Sequence, residues 1–184
     1  MASSLSTPVP GTRPTNLQHR AEALLASAMF GGLAWLKIEK ASTFGGWLVE
    51  TTFSRTKRGQ RAEQQIAAVF PELNSQQVKG MARASWNVFG RSMGELPHLE
   101  KIISDPGRLI FENEDVLKNV KKRSNGTIYV SAHLGNWELL PGIARSVDQR
   151  FHGFYRPLSN AILEERLRTM RQSAAGTGTL LPAA

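Results

Sequence analysis

Residues 131–138 read SAHLGNWE and place His133 and Glu138 with four residues between them. An imidazole can take a proton from an alcohol while a carboxylate holds its other nitrogen and stabilises the imidazolium that develops. Judged by spacing alone, H-x-x-x-x-E fits a helix cap or a hydrogen-bonded core histidine equally well. It does not fit the metalloprotease pattern, in which the ligands share one helical face. The chain has no cysteine, which removes disulfides, thiolate nucleophiles and cysteine-ligated zinc. A substrate hydroxyl that attacks directly needs no nucleophile from the protein.

Positioning such a pair takes a strand before it and a helix after it. TIYVSA (127–132) is rich in β-formers, which puts His133 at the carboxyl end of a predicted strand, where open α/β sheets gather their ligands. Gly135 permits a tight turn, and Glu138 falls in the first turn of a helix predicted over NWELLPGIARS, whose Pro141 is a mild objection. Amides at that helix start can stabilise an oxyanion. FHGFYRP reads as a second strand, and SNAILEERLRTMRQS as a helix with Ile162, Leu163, Leu167 and Met170 on one face. Strand, helix, strand, helix predicts an α/β layer with a parallel sheet.

Upstream, Asn74–Leu96 places Val78, Met81, Ala82, Ser85, Phe89, Met93 and Leu96 at helical spacing, with Asn74 and Gln77 as a capping box. Trp86 beside that stripe reads as packing. Asp105, Pro106 and Gly107 predict a turn, and FENEDVLKNVKKRSNG a short surface helix ending at Asn125 and Gly126.

Residues 1–16, with Pro8, Pro10 and Pro14 among Ser, Thr and Gly, predict a loose tail without the features of a secretory signal. Residues 23–36 carry no charge. They are fewer than the roughly 20 needed to cross a bilayer, and Gly31 and Gly32 weaken the run further. It is a packed helix, a helix seated in one leaflet, or a marginal span reaching Lys37, Phe44, Trp47 and Leu48. Arg55, Lys57, Arg58 and Arg61 form either a solvated face or a contact for an anionic membrane.

The longer string adds a resemblance. HLGNWE after a β-rich stretch, then GFYRPLSN and an arginine-containing helix, resembles the lysophospholipid acyltransferase superfamily, and within it the bacterial late lipid A acyltransferases of lauroyl or myristoyl type. FPELNSQQV (70–78) and GRSMGE (90–95) are similar to that branch too. The likeness runs from about Ala21 to about Ser173 and is most specific over residues 129–158. It implies a catalytic dyad of His133 and Glu138, with glutamate in place of aspartate suiting this branch. It also implies a second motif at Gly153, Phe154, Tyr155 and Arg156, with Arg156 binding an acceptor phosphate or orienting the acyl donor, against the plain alternative of a solvated arginine. Gly153, Tyr155 and Asn136 join Arg156 as candidate substrate-binding residues, while Gly135, Asn136 and Trp137 shape the loop rather than react. His19, His98 and His152 carry no role.

The implied fold is a partial acyltransferase sheet with flanking helices and an N-terminal membrane-associated helix. Its segments are a disordered tail (1–20), a membrane-associated helical segment (21–60) and the N-terminal part of an acyltransferase domain (61–184). Members of the branch are longer, so the chain is expected to be truncated at its C-terminus, and its activity alone is in question. The implied reaction moves a fatty acyl chain from an acyl thioester to a hydroxyl of a lipid A precursor in lipopolysaccharide biosynthesis, without metal or other cofactor. Acylation of a lysophospholipid or another glycolipid, and a non-catalytic membrane-binding remnant, are the rivals. The implied partners are acyl carrier protein or acyl-CoA, a phosphorylated glycolipid and an anionic membrane, at the cytoplasmic face of the bacterial inner membrane.

Composition is compatible with that. A chain of 184 residues that is 41% hydrophobic and 21% charged folds as an ordinary protein. Its net charge of +8 favours acidic partners. Nucleic acid is the weakest of these, because the basic residues are not interleaved with aromatics in a recognised motif.

Overall fold

The structure, a computed structural model, describes residues 16–122, 125–146, 148 and 150–182. The expected N-terminal tail lies outside them up to Thr15. In chain order the helices are α1 (Leu17–Trp35), α2 (Ile38–Phe53), α3 (Lys57–Val69), α4 (Ser75–Glu95), α5 (Leu99–Ser104), α6 (Glu114–Lys122), α7 (Leu140–Ser146) and α8 (Ala161–Ala175). The strands are β1 (His152–Tyr155) and β2 (Thr179–Pro182). Among the described residues two compact units form: Gly32–His98 with Val130–Glu138, and those up to Gly31 with Leu99–Tyr129 and those from Leu139 onward.

The first unit is built on α2 against α4. Ala41, Ser42, Gly45 and Gly46 are buried on α2, and Val78, Ala82, Gly90, Ser92 and Gly94 on α4. The backbones touch: a methyl on Gly45 would strike the Gly90 carbonyl oxygen, and one on Gly94 would strike that of Ala41. Side-chain bonds flank the contact, from Asn87 Nδ2 to Glu50 Oε2 at 2.9 Å and from Ser42 Oγ to Glu95 Oε1 at 2.7 Å.

The expected capping box is present. Asn74 Oδ1 accepts from the amides of Gln76 and Gln77, and Gln77 Oε1 accepts from the Asn74 amide at 2.9 Å, satisfying donors that a helix start otherwise leaves open. The buried face of α4 differs from the expected stripe. It follows steps of four, Val78, Ala82, half-buried Trp86, Gly90 and Gly94, and leaves Met81 and Ser85 exposed. Ridges of that spacing are the ones that nest into a neighbouring helix. Trp86 packs on Phe53 and Phe89, with ring centroids 5.1 and 6.1 Å apart.

The uncharged run folds as α1, and α2 starts after an extended Lys37. No described helix is long and apolar enough to cross a membrane.

The second unit carries a β1–α8–β2 crossover. The strands pair in parallel with His152 opposite Thr179 and Tyr155 opposite Pro182, so the α/β expectation is met by a two-stranded sheet in a mostly helical chain. Leu99, Ile102, Ala144, Ala174 and Ala175 form part of its core. Gly178 has no room for a side chain, since a Cβ there would collide with the Phe151 backbone. Asn160 caps α8 through the Ile162 and Leu163 amides, and its Nδ2 donates to the His19 carbonyl and to Glu22.

Two sequence expectations change. TIYVSA belongs to no strand among the described residues, and Ile128 and Val130 are 90% and 91% exposed. β-propensity reflects packing on a pleated surface more than an intrinsic backbone preference, and neither strand of the sheet pairs with this stretch. The helix over NWELLPGIARS divides into a 3-10 turn (Trp137–Leu139) and α7. Pro141 sits in the first turn of α7, where its missing N–H is no loss.

The glycine contact makes a clear expectation. Gly90→Ala forces α2 and α4 apart and lowers stability by about 3 kcal/mol. Gly80→Ala, in the same helix with no atom near the added methyl, raises it by about 0.5–1 kcal/mol. Urea unfolding of the two variants checks the contrast, and equal effects would refute the tight contact.

Candidate active site

The HLGNWE loop lies wholly in the first unit, which ends at Glu138. Gly135 has φ of +55°, a left-handed conformation that costs a side-chain-bearing residue energy. Ser92 Oγ donates to the Gly135 carbonyl at 3.2 Å. Asn136 Nδ2 donates to Glu95 Oε2 at 2.7 Å, and Asn136 Oδ1 accepts from the Glu138 amide at 3.1 Å. Trp137 stacks on Phe89 at 5.9 Å between centroids and meets the edge of His133 at 5.1 Å.

The two candidate catalytic groups differ in setting. His133 is exposed, and Glu138 is 5% exposed in the turn after it. No hydrogen bond joins them among the described residues. His133 rests on Trp137. Catalytic hydrogen bonds often tighten only when substrate is bound.

The second motif lies in the other unit. Gly153 backs onto the Phe151 ring, Phe154 is 81% exposed, and Tyr155 Oη donates to Glu164 Oε1 at 2.7 Å. Glu164 is 1% exposed, and its second oxygen accepts from the Leu158 amide at 2.8 Å. Burial first, then the bond to Glu164, pushes the Tyr155 phenol up to about 12. The Arg171 guanidinium lies 5.6 Å over the Tyr155 ring. Arg156 is exposed just beyond β1. An open cleft of about 800 Å³ runs beside β1, between Thr127–Tyr129 and Phe151–Phe154.

Sequence reasoning put His133 at the end of a strand that does not form and Glu138 in the first turn of a helix, whereas the structure sets both with Asn136 in a loop and 3-10 turn; Gly153 and Tyr155 lie in β1 with Arg156 just beyond it, as expected. It missed Glu95 and Glu164, the acceptors beneath the two motifs. Glu164 carries a signal, an acid in the first turn of the helix after GFYRP; Glu95 shows only as the last letter of GRSMGE. His98, given no role, is buried and its Nε2 is 3.0 Å from the Leu33 carbonyl. No group of three or more His, Asp or Glu among the described residues is placed to hold a metal ion.

The loop thus presents an exposed imidazole ahead of a buried acid, closed by a left-handed glycine. The family model for bacterial lipid A biosynthesis acyltransferases matches residues 23–181, and the chain belongs to that family. No curated protein and no solved structure matches the chain.

The Tyr155–Glu164 pair sets two expectations. Glu164→Ala strands two donors and lowers stability by at least about 2 kcal/mol in urea unfolding, since each unpaired buried donor costs about 1–3 kcal/mol. A phenol whose folded value is raised stabilises the fold fully below its unfolded value near 10 and loses that contribution as pH rises toward about 12. The stability gap between wild type and Tyr155→Phe therefore narrows across that window, and a gap that widens would contradict the assignment.

Proposed function

We propose that the chain transfers a fatty acyl group of lauroyl or myristoyl length from an acyl thioester to a hydroxyl of a phosphorylated lipid A precursor. Acyl transfer in lipid A biosynthesis is the family's activity; the chain length, donor, acceptor and residue roles are our reading. The observation that carries it is the His133 ring, exposed at the mouth of a loop that α4 holds from beneath. His133 takes the proton of the acceptor hydroxyl as its oxygen attacks the thioester carbonyl. The C–S bond breaks, and the imidazolium returns the proton to the departing sulfur. Glu138 orients and stabilises the imidazolium once substrate closes the loop.

Arg156 is exposed and suits an acceptor phosphate through its forked donors. The cleft beside β1 offers Ile128, Tyr129, Phe151 and Phe154 to an acyl chain. Lys57 and Arg58 occupy the first turn of α3, which holds no acid. That is the wrong end of the helix dipole for a cation, so helix stability does not explain them and an anionic partner does. An acidic acyl carrier protein and an anionic membrane both fit. Trp35 is 93% exposed, and Phe44 and Trp47 also face solvent near Lys37 and Lys40. Aromatic rings beside lysines suit an interfacial seat, here at the cytoplasmic face of a bacterial inner membrane.

The exposed His133 ring, not bonded to Glu138, favours a second reading, a membrane-binding chain without catalysis. The full chain is tested on vesicles holding a phosphorylated, under-acylated lipid A precursor, with acyl carrier protein or coenzyme A thioesters, and with a lysophospholipid as competing acceptor. Acyl transfer falls roughly 10²–10⁴-fold in His133→Ala, and Arg156→Ala raises KM for the phosphorylated acceptor. Vesicle binding without transfer from any donor would establish the second reading, and preference for the lysophospholipid would move the acceptor.

A further inference from the structure

We infer that Glu95 is a positioning residue for the histidine loop, acting through Asn136. The inference deepens the acyl-transfer reading and rests on it for its kinetic arm alone. Glu95 ends α4 and is half-buried. Its two oxygens are both used, Oε1 by Ser42 Oγ and Oε2 by Asn136 Nδ2, each at 2.7 Å. A carboxylate only accepts. It therefore obliges the Asn136 amide to turn its NH2 toward α4, which turns Oδ1 toward the Glu138 amide it accepts from. The acceptor-only carboxylate of Glu95 thus decides which way Asn136 faces, and Asn136 decides the orientation of the peptide that carries Glu138.

Glu95 is one of a set. Phe89, Ser92 and Glu95 succeed one another at intervals of three along α4 and hold Trp137, Gly135 and Asn136 respectively. Residues at that interval share a helical face. Of the three, Glu95 alone makes a charge-assisted bond, the stronger kind, and it alone is linked, through Asn136, to the backbone of the candidate acid. His133 is reached last, through its ring contact with Trp137.

The test monitors the loop directly. The chain has four tryptophans, so fluorotryptophan labelling of the full chain gives one fluorine resonance for each, assigned by single Trp→Phe variants. In the wild type the Trp137 signal is displaced by its stacking on Phe89, away from that of exposed Trp35. In Glu95→Ala and in Asn136→Ala it moves toward the Trp35 position, while Trp86, packed between Phe53 and Phe89, stays. Asn136→Asp keeps the volume and sets a second carboxylate against Glu95; it gives the same shift and serves if Glu95→Ala does not fold. In acyl transfer, Glu95→Ala lowers kcat by roughly 10²-fold, as small misplacements of reacting groups do, with KM unchanged. The Glu95→Ala/Asn136→Ala double variant is no slower than Asn136→Ala. A Trp137 resonance unmoved in both Glu95→Ala and Asn136→Asp overturns the inference, as do kinetic losses that multiply in the double variant. The shifts without transfer by the wild type would sink the acyl-transfer reading and leave the positioning role standing.

Discussion

The contact of α2 with α4 through Gly45, Gly90, Gly94 and Ala41 is the constraint on which the candidate site depends. Removing side chains from a helix face costs backbone entropy, and the return is an approach close enough for peptide groups of the two helices to touch. At that distance short side chains span the gap. Ser42 reaches Glu95 and Asn87 reaches Glu50, which larger residues at the crossing would prevent. Glu95, held on one side by α2, then has its other oxygen free for the loop.

Both motifs rest on the same kind of support. Each has a carboxylate beneath it that accepts two hydrogen bonds, one from a side chain of the motif: Glu95 from Asn136, Glu164 from Tyr155. In each case a residue of motif type spends its polar atoms inward, on geometry, and leaves a neighbour, His133 or Arg156, exposed. A charged acceptor in a low-dielectric setting makes such bonds stiff. Rigidity behind and accessibility in front is the arrangement a reacting group requires.

Much of this was legible in the sequence where the cause is local. The Asn74–Gln77 box, the Asp105–Gly107 turn, β1 and α8 arise from caps, turn residues and periodicity, all decided within a few positions. What failed was decided at a distance. TIYVSA has strand composition but no partner strand among the described residues, and α4 turns its glycines rather than Met81 toward α2. Glu95 and Asn136 are far apart in the chain, and no spacing rule links them. The type of each motif residue could be read, while of the supporting acceptors only Glu164 left a signal.

The chain ahead of His133 bears on how the loop would meet a ligand. Asn136 and Trp137 tether it on the far side, but residues 130–132 belong to no helix or strand. Side-chain bonds from α4 hold the loop on that far side. A molecule that settles those residues against itself must offset their ordering, about 1–2 kcal/mol for each backbone residue fixed. For any molecule bound there, that ordering weakens the grip and quickens release.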